Sequence, residues 1–153
     1  MKELTHINDK GEIRMVSVTN KHASIRKAIA KGFIFLNQQC LNQITNQSIA
    51  KGDVIALARV AAINAVKKTS EIIILSHNIN IDSVEIDISI LNEGIEITAM
   101  VNSIGKTGVE LEALNAVTAG LLNIYDMCKS IDNKIIISDI KLISKSKQML
   151  QYE

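Results

Sequence analysis

The stretch Val84-Glu-Ile-Asp-Ile-Ser-Ile-Leu-Asn-Glu-Gly-Ile-Glu-Ile-Thr-Ala-Met-Val101 decides the fold of this 153-residue chain. Val84, Ile86, Ile88 and Ile90 alternate with Glu85, Asp87 and Ser89, which is the period of two of a half-buried strand. Asn92-Glu93-Gly94 supplies a turn, and Ile95, Ile97, Ala99 and Val101 carry the alternation back. The two halves therefore read as a β-hairpin. Upstream, Gly52-Asp53 opens a helix that runs to about Thr69, with Asp53 placed as N-cap. Val54 to Val66 is apolar around most of the helix circumference, so that helix is expected to be buried on more than one side. Its alanines permit close approach to a neighbouring backbone.

Working further outward, Arg26 to Leu36 places Ala28, Ala30, Ile34 and Leu36 on one side, and reads as a strand. Asn37 to Gln47 is polar and reads as a connection with room for a short helical turn. Beyond the hairpin, a second long helix is expected from about Val109 to Lys129. Asp132-Asn133 then turns the chain into a last strand over Lys134 to Ile143. The order β-α-β-β-α-β predicts a ferredoxin-like α+β sandwich, an antiparallel sheet with helices on one face. One domain is expected across residues 1–153, with 1–20 as an arm and 145–153 as a flexible tail.

Composition narrows the function classes. Seventeen basic against 16 acidic residues leave a net charge of +1, which argues against a nucleic-acid protein relying on a broad basic surface. Hydrophobic residues make up 47% and aromatics only 3%, so the core must be aliphatic. So high an apolar fraction is also what buried subunit contacts would produce. Proline is absent, which leaves the turns to Gly, Asn, Asp and Ser. Cys40 and Cys128 have neither metal-ligand spacing nor a disulfide framework and read as reduced structural thiols. No stretch approaches the ~18 apolar residues of a membrane helix, and the N-terminal residues are polar, so a cytoplasmic protein without membrane contact is expected.

The second helix is the most informative piece for chemistry. Glu112, Asn115, Asn123 and Asp126 fall within about 80° of one another at 100° per residue. They form either a solvated face or a functional one. Lys129 lies three residues past Asp126, close enough to pair with it. Glu112 and Asp126, however, are about 21 Å apart along the axis, too far to grip one small reacting centre. If both belong to active sites, the helix serves two sites and each site joins two subunits. His77 follows the apolar run Ile72 to Leu75 and is either a hydrogen-bonded structural histidine or a proton carrier. Lys51, Lys67 and Lys68 flank the first helix, as solvated caps or as ammonium charges for phosphate. Gly105-Lys-Thr-Gly108 lacks the spacing of a nucleotide phosphate loop and reads as a turn. No His/Cys/carboxylate cluster calls for a metal.

The order and wording of these pieces resemble the cyclic pyranopterin monophosphate synthases of molybdenum cofactor biosynthesis. Lys51-Gly-Asp53, Ala58-Arg-Val-Ala61 and Lys67-Lys-Thr69 resemble the family's first helix, and Leu75-Ser-His77 its leucine-cysteine-histidine segment. Most specific are Gly105-Lys-Thr-Gly-Val-Glu-Leu-Glu-Ala-Leu114 and Tyr125-Asp-Met-Cys-Lys129. The weaker similarity covers Met15 to about Lys145. The resemblance implies a lyase that converts 3′,8-cyclo-7,8-dihydroguanosine 5′-triphosphate to cyclic pyranopterin monophosphate with release of pyrophosphate. It also implies no cofactor, and a homohexamer built as a trimer of dimers with sites between subunits.

Residue by residue, the resemblance implies a catalytic Asp126 with its partner Lys129, and site roles for Lys51 and His77. It implies substrate contacts from Leu75, Ser76, His77, Glu110, Leu111, Glu112, Lys67 and Arg26. There are departures. Ser76 and Asn78 flank His77 where the family has Cys and Pro, Ser17 replaces a carboxylate, and Ala62 replaces a Gly. The family's C-terminal Gly-Gly-Lys-Ser-Gly loop is not found in Ser144 to Glu153, where Lys145 and Lys147 are the basic residues. Two further readings stay open. One is a non-catalytic ferredoxin-like oligomer that binds a phosphorylated pterin or nucleotide. The other is a structural oligomer whose polar helix face is solvent.

Overall fold

The structure is a computed structural model that describes residues 6–150. Its elements are β1 (Ser24–Phe35), α1 (Gln38–Thr45), α2 (Val54–Lys67), α3 (Thr69–Ile72), β2 (Ser83–Leu91), β3 (Gly94–Gly105), α4 (Glu110–Cys128) and β4 (Ile136–Met149). The four strands form one antiparallel sheet in the order β2-β3-β1-β4. This is the ferredoxin-like α+β arrangement that the alternation predicts. The hairpin falls where expected, with Val84 opposite Val101 and Leu91 opposite Gly94.

The core lies between the sheet and α2 with α4. Ala28, Ala30 and Ile34 of β1 and Ile95, Ile97, Ala99 and Val101 of β3 are buried against Val117, Leu121 and Ile124 of α4. Each fully buried Ile, Leu or Val contributes roughly 1.5–3 kcal/mol. Small residues set the distances. A Cβ on Gly120 would lie 2.7 Å from Ile97 Cδ1, 3.5 Å from the Ala58 carbonyl oxygen and 3.6 Å from Ala62 Cβ. The alanine stripe of α2 therefore does admit α4 closely, and α4 in turn rests on β3. Arg59 donates from Nη1 to the Ile86 carbonyl, tying α2 to β2.

Two segments differ from the sequence-based expectation. Asn37 to Gln47, read as a connection with room for a short helical turn, holds the eight-residue helix α1. The Asn37 Oδ1 accepts from Cys40 N at 2.8 Å as N-cap, and Cys40, Leu41 and Ile44 turn one face into the core. Three apolar residues among polar ones give a weak periodic signal over eight positions. The expected tail at 145–153 is also corrected. β4 continues to Met149, which pairs with Ser24, so 145–149 are sheet, while 151–153 lie outside the described residues. The alternation in β4 is broken by register shifts near Asp139, whose φ is 55°, and this hides the second half of the strand from a period-two reading.

The turn glycine of the hairpin gives a test of this packing. A Cβ on Gly94 would lie 1.9 Å from the Ile34 carbonyl oxygen, a backbone atom that cannot move aside without shifting β1. Gly94→Ala is expected to cost about 1–3 kcal/mol, read as a fall in denaturant midpoint without change in slope. An unchanged midpoint would contradict the close approach of β1 and the hairpin.

Candidate active site

The residues singled out in the sequence fall into three clusters, one at the C-terminal end of α4 and two adjoining at its N-terminal end. At the C-terminal end, the Asp126 carboxylate stands between two ammonium groups. Lys129 Nζ lies 2.7 Å from Oδ1 and Lys51 Nζ 3.2 Å from Oδ2. Lys51 also donates to the Asp126 carbonyl oxygen at 2.7 Å. Lys129 arrives by the i, i+3 spacing of the helix. Lys51 arrives from the loop before α2, where Gly52 adopts φ 111°, a conformation that glycine tolerates best. The hydrogen bonds of Lys129 and Lys51 hold the Asp126 carboxyl below the usual carboxylate range, and Asp126 raises the Lys129 ammonium in return. All three side chains face solvent.

At the N-terminal end of α4, Leu75, Ser76, His77, Leu111 and Glu112 line one cavity of about 320 Å³. Glu112 is only 3% exposed, and its Oε2 has no hydrogen-bond partner among the described residues. Burial pushes its carboxyl up, with the charge of Glu110 adding to the effect. Ser76 Oγ is likewise buried without a partner. His77 Nε2 lies 2.8 Å from the Val16 carbonyl oxygen. A carbonyl can only accept, so Nε2 carries the proton, and in the neutral ring Nδ1 is left as an acceptor. His77 is thus both hydrogen-bonded and part of a cavity wall. Val16, Val18 and Lys21 complete that wall, so residues expected to form an arm contribute to the cavity.

The third cluster adjoins the second through Gly108, which lines both cavities. Arg26 and Glu110 meet there in a space of about 220 Å³ with Lys145 and Lys147. Lys145 Nζ lies 2.9 Å from Glu110 Oε1. Burial acts to raise the Glu110 carboxyl, but the hydrogen bond and charge of Lys145, with Arg26 behind it, outweigh burial and leave it lowered. Lys67 joins none of these clusters. It lines a separate cavity with Ile63 and Ile81, next to its position at the end of α2.

The polar residues of α4 do not form one solvated face. Asn115 Nδ2 donates to the Ala65 carbonyl oxygen at 2.9 Å and lies 3.2 Å from Thr69 Oγ1, Glu112 is buried, and Asp126 is exposed. Cys40 and Cys128 are free and buried. Their mutual hydrogen bond raises the Cys128 thiol, with burial adding to it, and lowers the Cys40 thiol against the effect of burial; the burial of both suits structural thiols. Among the described residues, no helix is long and apolar enough to cross a membrane.

Glu112 gives a sign-defined prediction. Its raised value means that the folded state favours the protonated carboxyl. The resulting stability is fully present below the ordinary carboxyl value and is lost as pH rises through the raised one. Glu112→Gln cannot ionise, so its Tm relative to wild type should climb by a few degrees between about pH 4 and pH 8 in parallel thermal melts. A gap independent of pH would mean that Glu112 is not desolvated.

Comparison with known proteins agrees with this geometry. The model of the MoaC family matches residues 15–148. A cyclic pyranopterin monophosphate synthase of Clostridium acetobutylicum is 49% identical over 144 residues, covering 93% of this chain and 89% of its own length. Proteins of the same name from Thermoanaerobacter sp. (strain X514) and Listeria monocytogenes are 48% and 46% identical, each covering 94% of this chain and 92% and 91% of their own lengths. The match spans α4 from end to end, the named residues of all three clusters included, and the chain belongs to the MoaC family.

Proposed function

We propose that this chain is a cyclic pyranopterin monophosphate synthase, a lyase of molybdenum cofactor biosynthesis. Its substrate is 3′,8-cyclo-7,8-dihydroguanosine 5′-triphosphate, and its products are cyclic pyranopterin monophosphate and pyrophosphate. The observation that carries the reading is the Asp126 carboxylate held between Lys51 and Lys129 on the last turns of α4. The reaction opens and rebuilds a purine-derived ring, closes one phosphate into a cyclic diester and expels a diphosphate. It needs a carboxylate kept ionised for proton transfer and cations for the departing charge. A lysine-clamped aspartate supplies both.

Asp126, Lys129, Lys51 and His77 form the catalytic set of this proposal. Leu75, Ser76, Leu111 and Glu112 hold the ring system. The buried, unpartnered Oε2 of Glu112 is an acceptor suited to the N–H donors of a guanine-derived ring. Arg26, Glu110 and Lys67 complete the substrate contacts.

The subunit is a single domain, and its assembly is a homohexamer, a trimer of dimers. Two observations support this. Glu112 and Asp126 sit about 21 Å apart along α4, so one chain cannot close them around one substrate. Apolar side chains also remain uncovered on the same helices: Val60 is 63% exposed on α2 and Leu122 53% on α4. A partner subunit covering this face would bring Asp126 of one chain to His77 and Glu112 of another. The balanced charge and the free thiols suit a cytoplasmic enzyme.

The test is pyrophosphate release from the cyclised GTP intermediate. Wild type should release it, and Asp126→Ala should lose about 10²–10⁴-fold in kcat while keeping fold and oligomeric mass. A wild-type protein that binds the intermediate and releases no pyrophosphate would establish a non-catalytic binder instead.

A further inference from the structure

Two thiols meet at the C-terminal end of α4. Cys40 and Cys128, the only cysteines of the chain, are both 0% exposed and are hydrogen-bonded to each other. Contacts outside the thiols hold the same two residues together. The Asn37 side chain that caps α1 accepts from Cys40 N at 2.8 Å, and Asn37 N donates to Asp132 Oδ2 at 2.7 Å. Asp132 N in turn donates to the Cys128 carbonyl oxygen at 3.1 Å, and Ile131 N does so at 2.8 Å. The start of α1 is thereby pinned to the turn that closes α4.

The position of Cys128 ties this pair to the proposed chemistry. It lies between Asp126 and Lys129 in the chain, and Lys51 is near enough for its charge to act on the Cys128 thiol. Neither thiol has a task in the reaction proposed above.

The geometry points to a redox-modification site: hydrogen peroxide converts Cys40 and Cys128 to a disulfide that ties α1 to the last turn of α4. Peroxide is small, and α1 is an eight-residue helix, short enough to open locally while the sheet stays folded. The hydrogen bond from Cys128 lowers the Cys40 thiol against burial and the charge of Asp132, so Cys40 supplies the attacking thiolate. Its sulfur attacks one peroxide oxygen and the O–O bond breaks. The other oxygen leaves as water, taking up the proton that Cys40 gave up, and Cys40 becomes a sulfenic acid. The Cys128 sulfur then attacks Cys40 Sγ, and the hydroxyl departs as a second water with the Cys128 proton. Two electrons pass from the two thiols to the peroxide.

A disulfide holds its sulfurs at about 2.05 Å, closer than a thiol–thiol hydrogen bond, so Cys128 must shift toward α1. Asp126 and Lys129 flank that residue, and a displacement of about 1 Å at reacting groups lowers rates by up to about a hundredfold. This consequence for turnover rests on the lyase reading; the disulfide does not.

The test treats the full-length protein with hydrogen peroxide, alkylates it under denaturing conditions and maps its peptides by mass spectrometry without reduction. The expected product joins the Cys40 and Cys128 peptides and has lost the mass of two hydrogens. Pyrophosphate release should fall about 10–100-fold and return with dithiothreitol, which reverses a disulfide and leaves methionine sulfoxide. Cys40→Ala should be spared this reversible loss. Treated wild type without the cross-link would overturn the inference, whatever its activity. A joined pair with undiminished kcat would overturn the link to Asp126 and Lys129. A protein that forms the disulfide yet releases no pyrophosphate even when reduced would sink the lyase reading and leave the modification site standing.

Discussion

The closeness of α4 to the sheet and to α2 fixes nearly everything else in this molecule. At residue 120 the helix approaches Ile97, Ala58 and Ala62 so nearly that a methyl group would have to displace one of them. That contact sets the rotation of α4 about its axis. With Ala113, Ala116, Val117, Gly120, Leu121 and Ile124 turned inward, Asp126 must emerge near the outer surface at the far end. Glu112 must sit under the segment that carries His77. A shift of one residue in this packing would make the two carboxylates alike, both taking the buried places of Ala113 and Met127 or both the exposed places of Leu111 and Tyr125. The chemistry at both ends of α4 thus depends on a contact between side chains with no chemistry of their own.

The burial of Glu112 and the exposure of Asp126 follow from the same rotation but give the two carboxylates opposite electrostatics. One is desolvated and raised, the other hydrogen-bonded to two ammonium groups and lowered. Two carboxylates pushed apart in this way are suited to different tasks at neutral pH. In the account proposed here, the first reads ring N–H groups and the second handles protons. The covering segment from Val16 to Lys21 matters for the same reason, since it helps close the space in which Glu112 is desolvated. Residues with little periodicity of their own thereby complete a wall of the site.

Much of the fold was legible in the residues. Alternation in Val84–Val101 fixed the hairpin, and the Asp53 cap fixed the start of α2, where its Oδ1 accepts from Ala56 N at 2.9 Å. Local patterns worked where one face of an element is buried. They failed where the signal was thin or broken: α1 shows only three apolar residues, and the bulge at Asp139 conceals that β4 runs on to Met149. Of the site, the Asp126–Lys129 pair followed from helical spacing alone. The arrival of Lys51 from 75 residues away did not, because tertiary contacts leave no local trace. Nor did the arrival of Val16 at His77. Lys67 shows the reverse: a lysine that resembles a site residue sits at a different cavity within one chain.

In the proposed assembly each chain carries two half-sites, which complete one another only between subunits. Mixing two inactive variants, Asp126→Ala and Glu112→Ala, after dissociation and reassembly in equal amounts tests whether the site is shared. If one site draws Asp126 from one chain and Glu112 from another, random mixing restores both groups in about one site in four, and pyrophosphate release returns to that extent. Mixed oligomers that form and release none would contradict the shared site.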